Sequence, residues 1–213
     1  MVVELPAVDL QVRRGQLPLA DLPELLSTLF LHGLGGRGAE WDALQARVPA
    51  QAPDLRRYGT RDEYVADVAR LIGARRVALI GQSLGGHTAM LVAAGRPDLV
   101  DRLVVIEASP ERDPGVGERV RRFFEANPDA YAGGIDPELA AAAVSELELR
   151  DWWSEWDSIR CPILVVRGEH GQLDLVTARR MHPEPVTIAG AGHDVHLDQP
   201  GALADAIAQF LGS

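Results

Sequence analysis

The chain has 213 residues, 46% hydrophobic and 24% charged, with 21 Lys and Arg against 31 Asp and Glu. A formal charge of −10 excludes a surface built to displace counterions from a nucleic-acid backbone, and the apolar runs are strand-sized, too short to cross a bilayer. The first residues lack the basic region and long apolar core of a secretory signal, so the expectation is one cytoplasmic domain with a substantial core.

In chain order, the segment to about residue 24 mixes Pro6, Pro18 and Pro23 with the alternating Val8-Asp-Leu-Gln-Val12, which reads as a weak edge strand and a loop. The apolar run 27–31 predicts a buried strand that stops at His32-Gly-Leu-Gly-Gly36, a loop whose backbone can approach another group closely. A helix is predicted over 39–48 and a short strand over 51–55. Tyr64, Val65, Val68, Leu71 and Ile72 recur at helical spacing within 61–73. An apolar run at 77–80 then leads through Gly81-Gln-Ser-Leu-Gly85 into an apolar helical pattern that ends at Gly95, with Pro97 beyond it. A strand over 103–106 stops at Glu107. Helical segments at 117–126 and 136–149 follow, and the aromatic group Trp152, Trp153 and Trp156 closes that interval. The rest reads as a strand over 163–166, a helix over 175–181, a short strand over 185–189 and a final amphipathic helix over 201–211. Strands alternating with helices imply an α/β fold, a mostly parallel sheet covered on both faces. It forms one domain over 1–213, with 111–158 as a small helical cap.

The chemistry centres on Ser83. Its turn lies between a strand and a helix and is flanked by Gly81 and Gly85, the context in which G-x-S-x-G presents an exposed hydroxyl at the start of a helix. Such a turn forces its central residue into an unfavourable backbone conformation. A serine hydroxyl is a weak nucleophile at neutral pH, so it needs a base, a group orienting that base, and donors for the developing oxyanion. His193, in the glycine-rich loop after the last strand, is the candidate base, and His196 three residues on has the weaker context. The backbone amides of Leu34 and Leu84 are the candidate oxyanion donors. The glycines of 32–36 also suit a phosphate, but the Lys-Ser/Thr ending of a P-loop and the G-x-G-x-x-G spacing are both missing. Cys161, the sole cysteine, precedes a proline at a strand entrance and reads as a small buried side chain; no disulfide and no multi-cysteine metal site is expected.

With His-Gly-x-Gly-Gly at 32–36, Gly-x-Ser-x-Gly-Gly at 81–86 and Gly-x-Gly-His at 190–193, the chain resembles the α/β-hydrolase fold family, in its compact serine esterase-like branch. The resemblance covers nearly all of 27–211 in the family's order. It implies Ser83 as nucleophile, His193 as general base, and Leu34 and Leu84 as oxyanion donors. It also implies an acid a few residues beyond the glycine that ends the strand at 163–168. There the sequence has Gly171 and Gln172 instead, neither of which can carry a charge. Asp174, two residues late in the same loop, is the first substitute; Glu107 at the end of the preceding strand is the alternative, and Glu169 is a third.

The expected activity is hydrolysis of a small or medium ester or related acyl compound by a Ser-His-acid triad, without metal or cofactor. Phe123, Phe124, Trp152, Trp153 and Trp156 are candidates for an apolar roof over Ser83, and Trp41 for a further wall. Two other readings share the frame: a non-catalytic ligand-binding protein with an incomplete triad, motivated by Gly171 and Gln172, and carbon–carbon bond hydrolysis or cofactor-free oxygen or peroxide chemistry. The expected partner is a small-molecule substrate, not a membrane or a nucleic acid, with a homodimer as the association open to the chain.

Overall fold

Five runs rich in Val, Ile and Leu form the sheet: Thr28–Leu31 (β1), Val77–Gln82 (β2), Val100–Ile106 (β3), Ile163–Gly168 (β4) and Val186–Ile188 (β5). They pair in the order β1-β2-β3-β4-β5, and every pair is parallel. The computed structural model describes residues 27–129 and 134–212; the edge strand expected at 8–12 lies outside them. The helices are Asp42–Gln45 (α1), Arg61–Ile72 (α2), Leu84–Gly95 (α3), Val116–Ala126 (α4), Pro137–Val144 (α5), Trp153–Ser158 (α6), Leu175–Met181 (α7), Val195–Asp198 (α8) and Pro200–Leu211 (α9).

Spatial order equals chain order, so right-handed crossovers bring α2, α3, α6 and α7 to one face of the sheet. Side chains alternate along each strand. Leu29, Leu31, Leu79, Leu103, Val105 and Val165 accordingly share one core with α2, α3, α6 and α7. Phe30, Ile80, Val104, Ile106 and Val166 face the other way, against Leu44 of α1 and Leu203, Ala204 and Ile207 of α9. Parallel strands all end at one edge, and there the loops after β1, β2, β3, β4 and β5 converge.

The helix expected over 39–48 is replaced by a 3₁₀ turn, Gly38–Trp41, followed by the single turn of α1. Gly38 is wedged against the segment at Ala52 and Pro53, where a Cβ would stand 1.8 Å from the Ala52 carbonyl oxygen, and Trp41 is drawn into the core. Packing overrides the local helical preference. The strand expected over 51–55 contributes one bridge, Gln51 to Leu29; Pro53 has no N–H to extend a ladder. The helical pattern at 136–149 divides into α5 and a 3₁₀ turn, Ser145–Glu148. Trp153 and Trp156 of the aromatic group lie in a helix, α6, that periodicity did not show, with Trp152 at its N-cap.

Within 111–158, α4 and α5 pack on each other around Phe124, Ile135 and Ala140, with Leu34 and Tyr58 against them. The Tyr58 hydroxyl accepts from the Asp136 amide at 2.8 Å, and Arg57 donates to the Gly134 carbonyl at 3.0 Å. These bonds seat the insertion beside the loop that follows β1. Among the described residues no helix is long and apolar enough to cross a membrane.

Candidate active site

Ser83 ends β2 and sits at the N-cap of α3 with φ 53° and ψ −120°. Among the described residues only Ser83 and Glu107 combine a side chain with positive φ. Backbone strain of this kind persists only where surrounding contacts enforce it. At the elbow they do: a Cβ on Gly85 would lie 2.4 Å from the Leu31 carbonyl oxygen and 2.6 Å from that of His32. Only glycine lets α3 approach β1 so closely, and the side chain of Ser83 makes no capping bond to its own helix.

The loop after β1 is held against this turn. A Cβ on Gly33 would stand 3.3 Å from Ser83 Cβ. His32 is buried, its Nε2 accepting from the Leu55 amide at 2.8 Å and its Nδ1 donating to the Gly33 carbonyl at 2.8 Å. Because an amide can only donate and a carbonyl only accept, these bonds select one neutral tautomer; burial also holds the pKa of His32 below its ordinary value. The loop after β5 is tied in by Gln82, whose Nε2 donates to the His193 carbonyl at 3.0 Å and, more weakly, to Asp194 Oδ1 at 3.4 Å. Gln82, the variable residue before the serine in the elbow, therefore anchors the His193 loop. Sequence reasoning missed that role, since nothing local to Gln82 signals a partner more than a hundred residues away.

His193 is half-buried, and its Nδ1 lies 3.2 Å from Glu107 Oε2. The Glu107 side chain is wholly inaccessible to solvent. Its Oε1 accepts from the Gly168 amide at 2.8 Å, and its Oε2 accepts from the amides of Gln172 at 2.6 Å and Leu173 at 3.2 Å. An Nδ1–H directed at a carboxylate leaves the Nε2 lone pair for another partner, the tautomer a general base requires. Gly171 makes the arrangement possible, because a Cβ there would fall 2.1 Å from Glu107 Oε1. The missing side chain in the loop after β4 is the space that the Glu107 carboxylate fills.

A family model described as "Alpha/beta hydrolase family" matches residues 28–206. The chain belongs to the alpha/beta hydrolase family. It is 26% identical to a 2-(acetamidomethylene)succinate hydrolase of Mesorhizobium japonicum, over 98% of this chain and 94% of that protein. It is 28% identical to an esterase of Mycobacterium tuberculosis, over 86% of this chain and 82% of that one. Among solved structures, an enol-lactonase from Burkholderia xenovorans superposes with a TM-score of 0.76 at 17% identity, covering 90% of this chain and 93% of that one.

Among the other candidate positions, the first-named acid, Asp174, is placed elsewhere than expected, whereas Glu169 and His196 keep the lesser places expected of them. Asp174 does not reach His193. It is the N-cap of α7, its Oδ1 accepting from the amides of Val176 at 2.8 Å and Thr177 at 3.0 Å, bonds that hold its carboxyl below the usual range. Glu169 is exposed, accepting from the Gly190 amide at 2.9 Å. His196 is buried against Trp41, with its Nε2 3.4 Å from Glu40 Oε2.

Trp41 is wholly buried in the α9-side core, stacked between Phe30 at 4.7 Å and His196 at 4.6 Å. It is scaffold beneath the loops, not a wall of the site. Phe123 is 45% exposed, and Phe124 packs inside the α4–α5 pair. Trp156 joins α6 to α7, its Nε1 donating to the Met181 carbonyl at 3.2 Å, and Trp153 carries the Arg180 guanidinium 3.7 Å from its ring centre. Of the aromatic candidates, Trp152 meets a ring of the elbow helix, edge-on to His87 at 5.1 Å, and Trp156 shares the apolar cluster of that helix. Amphipathic spacing identifies such residues as apolar anchors but not which surface each anchors to. Leu34 and Leu84 lie in the same apolar cluster as Trp152.

Surface depressions lined by Arg76, Asp101, Arg102 and Cys161 lie at the opposite, amino-terminal edge of the sheet and form no part of this site. Among the described residues no group of three His, Cys, Asp or Glu is placed to hold a metal ion.

Proposed function

We propose that the protein is a serine hydrolase of small or medium carboxylic esters or related acyl compounds. The observation that carries the reading is the contact of His193 Nδ1 with the buried carboxylate of Glu107, on a loop tied to the residue before a strained Ser83. In the proposed mechanism Ser83 Oγ attacks the substrate carbonyl carbon while its proton passes to His193 Nε2, and Glu107 steadies the imidazolium. The amides of Leu34 and Leu84 donate to the tetrahedral oxyanion, the latter aided by the amino end of α3. Collapse expels the alcohol, which takes its proton from His193. Water then attacks the acyl-serine, giving its proton to His193, and the acid leaves as Ser83 recovers its own.

The names of the relatives, a succinate-derivative hydrolase and an esterase, support addition of water over oxygen or peroxide chemistry. The non-catalytic alternative rested on Gly171 and Gln172, and both now have another explanation. Gly171 makes room for Glu107, and the Gln172 amide donates to it. The test is Ser83→Ala. It is expected to abolish turnover of p-nitrophenyl butyrate and labelling by a fluorophosphonate probe, and unchanged turnover would overturn the proposal.

A further inference from the structure

Beneath the insertion lies a set of buried polar groups that the mechanism does not use. Arg61, at the start of α2, is 0% exposed; Tyr64 is 1%, His87 3% and Trp152 8% exposed. Arg61 Nε and one of its terminal nitrogens, the Tyr64 hydroxyl, both His87 ring nitrogens and Trp152 Nε1 have no hydrogen-bond partner. The other terminal nitrogen of Arg61 donates to the Ala143 carbonyl at the end of α5, and its backbone amide donates to Glu146 at 3.1 Å. The guanidinium lies over the Tyr64 ring at 5.5 Å, His87 meets Trp152 at 5.1 Å, and Tyr64 and Trp152 share the apolar cluster of Leu34 and Leu84.

Buried polar groups left unpaired are costly, and a native protein keeps such a group where something meets it. The chemistry of this set is weighted towards donors, with one His87 ring nitrogen and the Tyr64 oxygen as its acceptors. Arg61 and Trp152 can only donate, Tyr64 has a hydroxyl proton to give, and neutral His87 adds one N–H. An acceptor-only group complements those donors, and a planar guanidinium edge fits a carboxylate best. We infer that the substrate of the Ser83 site carries a carboxylate, received under the insertion by Arg61 with Tyr64, His87 and Trp152. Two further observations agree. The pKa of His87 is lowered to about 3, first by burial and then by the charges of Arg61 and Arg150, so the imidazole is neutral beside a local excess of positive charge. Glu155, the acid whose influence opposes that excess at His87, is engaged with Arg150 at 2.7 Å, and that guanidinium lies over the Trp152 ring.

This inference rests on the hydrolase reading for its chemistry but not for its binding step, and the two are tested apart. The values of kcat/KM are compared for p-nitrophenyl butyrate, mono-p-nitrophenyl succinate (carboxylate on the acyl side) and 4-carboxyphenyl butyrate (carboxylate on the leaving group). At least one anionic ester is expected to be favoured over the neutral one by about 10- to 100-fold. Arg61→Gln should collapse that ratio, while Arg47→Gln, an equal charge change at an exposed position beside Asp205 and away from the insertion, should retain it. If Arg61→Gln fails to fold, Arg61→Lys, which keeps the charge but not the planar fork, should lose most of the preference. No preference for either anionic ester, or a preference that survives loss of the Arg61 fork, overturns the inference and leaves the hydrolase reading intact. Calorimetric titration of Ser83→Ala protein with monomethyl succinate separates the reverse case. Saturable, Arg61-dependent binding by a protein whose wild type hydrolyses none of the three esters would sustain the carboxylate site and overturn the hydrolase reading.

Discussion

At the scale of single residues, the proposed mechanism turns on one exchange: Gly171 stands where the resemblance implies an acid, and the carboxylate beside His193 is that of Glu107, at the end of the neighbouring strand β3. Glu107→Gln keeps the size and one acceptor oxygen but removes the charge facing His193, so kcat should fall by about 10³- to 10⁴-fold with the fold retained, as judged by circular dichroism. Asp174→Asn preserves the cap of α7, so its esterase rate should match wild type; a large loss would show that Asp174 acts on the chemistry after all. Gly171→Ala tests the exchange from the other side. Its methyl would meet the Glu107 carboxylate, which three backbone amides prevent from retreating. Because an ångström of misplacement can be worth about 10²-fold, a loss of that order is expected in kcat, and wild-type activity would mean the carboxylate is freer than its bonds indicate. The sequence alone named Glu107 only as an alternative, since Asp174 is nearer to the customary position along the chain.

At the scale of elements, the crossing of α3 over β1 decides whether the elbow forms. Gly85 lies against two carbonyl oxygens of the chain leaving β1, and backbone cannot rotate aside as a side chain can. Gly85→Ala should therefore lower the unfolding free energy by about 1–3 kcal/mol in urea titration, through separation of α3 from β1. A neutral result would mean that the close approach is not needed. This part was legible in advance, because a glycine on each side of a serine between an apolar run and an apolar helix is a local pattern. The roof was not. Trp152, Trp153 and Trp156 share one short stretch yet face His87, Arg180 and the Met181 carbonyl in turn; the direction of each is set by where α6 docks.

At the scale of the whole molecule, buried neutral histidines couple the fold to pH. The pKa of His87 falls from its ordinary 6.5 to about 3 on burial, and His32 is displaced in the same direction. The unfolded chain therefore binds protons that the native state refuses, and stability is lost as pH drops below about 6.5. Between pH 6.5 and 4.5 the His87 contribution alone amounts to about 2–3 kcal/mol. Urea unfolding at the two pH values should show His87→Leu losing less stability than wild type by that margin, whereas parallel losses would indicate that His87 is protonated in the folded protein.

What the sequence determined by itself was everything encoded in neighbouring residues: the alternation of strands and helices, the elbow at Ser83, the glycine loops at 32–36 and 190–193, and through them the family. Backbone conformation and period are local properties, so a few adjacent residues suffice to specify them. What only the tertiary structure decided was which groups meet. His193 and Glu107 are 86 residues apart, and Arg61 reaches the insertion at Ala143. Such contacts follow from the common edge to which parallel strands deliver their loops, where distance along the chain no longer measures distance in space.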